Sequence, residues 1–116
     1  MAKTNLLQEH AENFDEQIRQ HLLDARSAGQ IAEILKALAD PTRVQILSLL
    51  SHEPVCVINL CLALEMSQPA ISHHLRILRH NRIVQTRKEG KHVFYALADE
   101  HIQTLYRQIL EHSQHS

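Results

Sequence analysis

Apolar positions along the chain fall into two periods. Ile31, Ile34, Leu35 and Leu38 recur at i, i+3, i+4 and i+7, the stripe of an amphipathic helix. Asp40 and Pro41 then read as an N-cap followed by proline at the first helical position. The helix they open is expected to present Val44, Leu47 and Leu50 inward, and Pro54 breaks the chain after it. Val57 to Leu64 predicts a short helix, Glu65-Met66 a turn, and Ser67 the cap of a second helix from Gln68 to His80. Ile71, Leu75 and Leu78 form the buried side of that second helix. The period then changes. Ile83 to Lys88, Glu89-Gly90 and Lys91 to Leu97 read as a β-hairpin, with Val93, Tyr95 and Leu97 alternating onto one face. Asp99 caps the last segment, where Ile102, Leu105, Tyr106, Ile109 and Leu110 restore the helical stripe. Residues 1–28 are polar and acidic, and predict a loose arm followed by helix.

A short helix, a tight turn and a capped second helix make a helix-turn-helix. With the hairpin as a wing, the predicted fold is mainly α with a β-hairpin: a winged helix-turn-helix. The expected division is an N-terminal arm or helix over 1–28 and a winged-helix DNA-binding domain over 29–116. The C-terminal helix of that domain would serve metal binding and dimerisation.

Composition narrows the class. The chain has 116 residues, 44% of them apolar and 22% charged, as in an ordinary single globular domain. No apolar run approaches ~18 residues, so no membrane span is expected. With no export signal read at the N-terminus and only two cysteines, a reducing cytoplasm is the expected compartment. The net charge of −1 conceals a segregation. Residues 67–92 carry six Lys/Arg against Glu89 alone, while residues 1–40 carry four against seven acids. A local basic block on a neutral protein points to a polyanion partner.

That block coincides with the helix-turn-helix and wing. Ser67, Gln68, Ser72 and His73 lie toward the start of the second helix, where short and amide side chains donate and accept at base edges. Arg76 and Arg79, with Arg87, Lys88 and Lys91 on the wing, suit phosphates. One such domain makes a small interface, so tight binding calls for a homodimer on operator DNA arranged as an inverted repeat.

Ten residues are histidine, and three of them share the last helix with Asp99: His101, His112 and His115. All four are good ligands for a borderline metal ion. His101 and His112 are three turns apart, roughly 16 Å along the axis. One ion with ~2 Å bonds cannot span that distance. Asp99 with His101, and His112 with His115, are therefore two half-sites. Two such helices packed antiparallel across a dimer axis complete two equivalent four-ligand sites.

Three stretches carry a family resemblance: Ala37-Leu38-Ala39-Asp40-Pro41-Thr42-Arg43, Ser67 to Leu75 (SQPAISHHL), and Arg87 to Tyr95 (RKEGKHVFY). Over roughly residues 30–116 the chain resembles the ArsR/SmtB metal-sensing repressors. The resemblance implies a homodimer that represses genes of metal efflux or sequestration, and whose DNA binding weakens when metal binds. Asp99, His101, His112 and His115 match the zinc-sensing pattern on the terminal helix position by position. That implies Zn(II) as effector, with Co(II) as a mimic. It also implies that a ligating histidine, His112 here, couples metal to DNA by donating from its second ring nitrogen to a backbone carbonyl near Arg82. A cysteine site of the same family is degraded: Cys56 is retained, Ile58 replaces its partner, and Cys61 matches a third position.

The alternatives within this class are a nickel or cobalt sensor, and a thiophilic-metal, arsenite or redox sensor through Cys56 and Cys61. A metal buffer would leave the basic wing unused. An enzyme is not expected, since the chain has no HExxH motif, phosphate loop or nucleophile constellation.

Overall fold

The computed structural model describes residues 2–115. They form two compact units that divide between Gln30 and Ile31, inside one helix. The first unit holds α1 (Ala2–Glu12), α2 (Glu16–Gln20) and the start of α3 (Ala25–Leu38). The arm is therefore helical where the sequence predicts a loose one. Two aspartates open its later helices: Asp15 accepts the backbone N–H of Gln17 at 2.9 Å at the start of α2, and Asp24 that of Ser27 at 3.0 Å at the start of α3. Each satisfies a donor that a helix start leaves orphaned.

The second unit continues with α4 (Pro41–Leu50), β1 (Val55–Cys56), α5 (Val57–Leu64), α6 (Gln68–His80), β2 (Val84–Glu89), β3 (His92–Leu97) and α7 (Glu100–Gln114). It is a winged helix-turn-helix. The helix-turn-helix and terminal helix stand where capping and periodicity place them. Asp40 accepts from Arg43 N at 3.1 Å, Ser67 from Ala70 N at 3.3 Å, and Asp99 from Ile102 N at 3.0 Å. Between α5 and α6, Glu65 takes the left-handed conformation at φ 52°, turning the chain back in two residues.

Among the described residues, the buried core is wholly apolar. Ile46, Leu60, Ile71, Leu75, Leu78 and Ile83 are its deepest side chains, contributed by α4, α5, α6 and the start of the hairpin. On this core lies an antiparallel sheet of order β1-β3-β2. Its register sets Thr86 opposite Tyr95 and Lys88 opposite Val93. The third strand, β1, pairs Val55 with Tyr95 and Cys56 with Phe94. Two residues are too few to show an alternating pattern, so this strand is silent in the sequence.

Three burial expectations change. In α4, Ile46 is buried beside Leu47 and Leu50, whereas Val44 is 45% exposed. On the hairpin, Leu97 is buried, Tyr95 half-buried and Val93 exposed, because the strand runs from the enclosed base to the projecting tip. Ala96, on the opposite pleat, is buried as well. On α7, no residue of the apolar stripe is buried. Ile102, Leu105 and Tyr106 are half-covered, and Ile109 and Leu110 are exposed. With Leu38, Val44 and Leu47 they line an open apolar groove of about 300 Å³. A stripe this regular that is only partly covered in one chain is the kind of apolar surface that marks an interaction site.

Candidate nucleic-acid interface and metal centre

Helix α6 presents its apolar side to the core and its polar side to solvent. Ser67, Gln68, His73, Arg76 and Arg79 are exposed, and Ser72 is half-buried. Since the Ser67 hydroxyl oxygen accepts the Ala70 amide, its proton remains free to donate outward. The positive end of the helix dipole at this start favours a nearby anion.

The wing carries Arg87 and Lys88 on β2 and Lys91 in the turn, all exposed. Gly90 makes the turn at φ 62°, a left-handed conformation that glycine adopts without penalty. Between α6 and β3 runs an open groove of about 480 Å³, lined by Ser72, Leu75, Arg76, Arg79, His80 and Tyr95. The structure thus brings Ser72, Arg76 and Arg79 together with two residues the sequence reading passed over. His80 had a signal, since it stands four residues after Arg76 and eight after Ser72 on one helical face. Tyr95 had none, because its place on the groove depends on how the sheet lies against α6.

The four candidate metal ligands lie along α7, from its N-cap to its C-cap. Asp99 caps it through one carboxylate oxygen, and the other lies 3.6 Å from Nδ1 of His101. The Ile102 amide holds the Asp99 carboxyl below its ordinary value, so it is an anionic donor across the working pH range. At the far end, the His115 backbone N–H donates to the His112 carbonyl at 3.3 Å. Each pair is local, and all four side chains are exposed. Among the described residues, no group of three or more His, Cys, Asp or Glu comes together to hold a metal ion within one chain. One carboxylate and three imidazoles are nonetheless a donor set that suits a borderline divalent ion. Cys56 and Cys61 are both free thiols. Cys56 sits opposite Phe94 in the sheet, and Cys61 packs against the core.

Among the described residues, no helix is long and apolar enough to cross a membrane. A family model described as bacterial regulatory protein, arsR family, matches residues 40–86, from the cap of α4 into the first strand of the wing. The chain is 43% identical over 104 residues to a transcriptional repressor SmtB homolog of Synechocystis, covering 87% of this chain and 79% of that one. It is 43% identical over 83 residues to a cadmium resistance transcriptional regulatory protein CadC homolog of Staphylococcus aureus, covering 71% and 69%. In structure it is similar to a homodimeric winged helix-turn-helix DNA-binding domain from Mycobacterium bovis, with TM-score 0.72 and 30% identity over 83% of this chain and 94% of that one.

Proposed function

The chain belongs to the ArsR/SmtB family of transcriptional regulators, and from that premise we propose that it is a repressor released from operator DNA by Zn(II) bound between two copies of itself. Residues 29–116 act as the DNA-binding and dimerisation domain, and residues 1–28 as an N-terminal arm. Ser67, Gln68, Ser72 and His73 read base edges from the major groove. Arg76 and Arg79 on α6, and Arg87, Lys88 and Lys91 on the wing, hold phosphates on either side. The related proteins are named as transcriptional regulators.

One observation carries the metal half of this reading. Helix α7 places two ligand pairs at its opposite ends and leaves its apolar stripe uncovered between them. A second α7 lying antiparallel would cover the stripe and bring Asp99 and His101 of one protomer to His112 and His115 of the other. Bound there, Zn(II) would supply a cross-link between the protomers. The chain's own part is to set the spacing of the two copies of α6, which must match successive major grooves. The two-state coupling required of such a switch is a few kcal/mol.

The test is a titration of binding to the DNA upstream of the chain's own gene with Zn(II), Co(II), Ni(II), Cd(II) and arsenite. Zn(II) and Co(II) are expected to weaken binding, and the Cys56→Ser/Cys61→Ser variant to respond as the parent does. Release by Cd(II) or arsenite alone, abolished in that variant, would move the sensor to the thiols. Release by Ni(II) alone would call for ligands beyond the four on α7.

A further inference from the structure

Two histidines stand side by side on α6, and they face different ways. His73 is exposed, whereas the side chain of His74 is only 16% exposed and turned toward α4. There Arg43 Nε donates to His74 Nδ1 at 3.1 Å. An arginine only donates, so Nδ1 of His74 is the acceptor in this bond. Asp40 Oδ2 lies 3.8 Å from the same nitrogen, outside hydrogen-bond distance, and is engaged instead with the Arg43 backbone N–H at 3.1 Å. Arg43 Nη1 donates in turn to the Ala37 carbonyl at 3.3 Å, one of the carbonyls that the last turn of α3 leaves without a helical partner. One guanidinium therefore joins the end of α3, the start of α4 and the middle of α6. Arg43 is also the only Lys or Arg between residues 41 and 66, and the DNA reading leaves it unused.

The remaining contacts of α6 with the core are apolar: Ile71, Leu75 and Leu78. Such packing holds the helix against the core, but its driving force is non-directional, and a polar bond on the flank of the helix adds an angular constraint of its own. Among the described residues, the Arg43–His74 bond is the only side-chain hydrogen bond from α6 to another helix. His73 is the next residue, about 100° around the helix, so whatever fixes the azimuth of His74 fixes the direction of His73 and Ser72.

We propose that Arg43 is a positioning residue for sequence recognition, holding the DNA-reading face of α6 in register through His74. The inference rests on the DNA reading above. It assigns to Arg43 no contact with DNA, so its loss costs discrimination between sequences and spares the general attraction to phosphate.

Four variants test it: Arg43→Lys, which keeps the charge and loses the fork geometry; His74→Gln, which moves the acceptor; His74→Asn, whose oxygen takes the place of Nδ1; and the double Arg43→Lys/His74→Gln. The probes are a duplex selected by the parent protein from a randomised pool and a scrambled duplex of equal length, at one fixed salt concentration, with urea unfolding alongside. Arg43→Lys and His74→Gln are expected to weaken the selected duplex about 10-fold, and the scrambled one less than about 2-fold, with the double no worse than either single. His74→Asn is expected to stay within about 2-fold of the parent on both. Unchanged affinity for the selected duplex, equal losses on both duplexes, multiplying losses in the double, or a His74→Asn as defective as His74→Gln would each overturn the inference. A parent protein that selects no duplex removes the DNA reading, and this inference with it.

Discussion

The side-chain amide of Gln103 donates to the carbonyl of Ser51 at 3.1 Å, joining residues 52 apart in sequence. Ser51 is the C-cap of α4. The bond ties the terminal helix to the end of α4, beside the apolar groove that the two helices share. Gln103→Ala is expected to lower unfolding stability by about 1 kcal/mol, the net worth of one such bond. An exposed neighbour on the same helix, Gln108→Ala, should stay within about 0.5 kcal/mol of the parent. Urea unfolding at one protein concentration makes the comparison, since any self-association adds to apparent stability.

The turn of the helix-turn-helix is strained in one place. Glu65 holds φ 52° with a side chain that disfavours it. Glu65→Gly is expected to stabilise the fold by about 0.5–1 kcal/mol, the relief of left-handed strain less the extra entropy glycine loses on folding. Equilibrium unfolding measures it, and a destabilised variant would show that the Glu65 side chain does more than occupy the turn.

The metal reading has a complementation test. A chain with Asp99→Ala and His101→Ala keeps only the far half-site, and a chain with His112→Ala and His115→Ala only the near one. Neither homodimer is expected to bind Co(II) with a tetrahedral absorption spectrum. Heterodimers formed by mixing the two should recover one site of the two. A mixture as silent as its components would rule out a site shared between antiparallel copies of α7.

On the wing, Arg87→Ala, Lys88→Ala and Lys91→Ala should each weaken DNA binding about equally for all sequences. Each is expected to reduce the slope of log affinity against log salt by about 1. A slope unchanged from the parent would mean that the cation in question does not reach phosphate.

Acid should loosen two helix starts. Asp24 and Asp99 are held below their ordinary value of 3.8, chiefly by the backbone N–H groups of Ser27 and Ile102 respectively. A carboxyl depressed in the folded chain stabilises it above the unfolded value, and that contribution fades as pH falls through the folded one. Asp24→Ala and, in metal-free protein, Asp99→Ala should therefore have lower unfolding midpoints than the parent at neutral pH. Below about pH 3.8 that difference should narrow. A gap constant down to pH 2 would place the caps' value in packing rather than charge.

The legible parts of this fold were those with a local cause. Asp40-Pro41, Ser67 and Asp99 announce helix starts because the capping oxygen and the amide it satisfies lie three residues apart. The placing of Asp99 and His101 at one end of α7, and of His112 and His115 at the other, follows from helical arithmetic alone. What was not legible depends on contacts across the chain. Strand β1 exists only because β3 lies beside it. Val44 shares a helical spacing with Leu47, yet it opens into the groove because nothing in a single chain covers it. Arg43 and His74 are 31 residues apart, and no periodicity connects them.

The sheet order β1-β3-β2 leaves one long strand, β2, with a free side. An unpaired strand edge invites a second chain to add on and is a common start of aggregation. Here that edge bears Arg87, Lys88 and Glu89, and a second β2 brought alongside in parallel register would set like charges against each other. Neutralising Arg87 and Lys88 would then be expected to cost more than affinity for DNA: at high concentration the protein should lose its protection against edge-to-edge assembly.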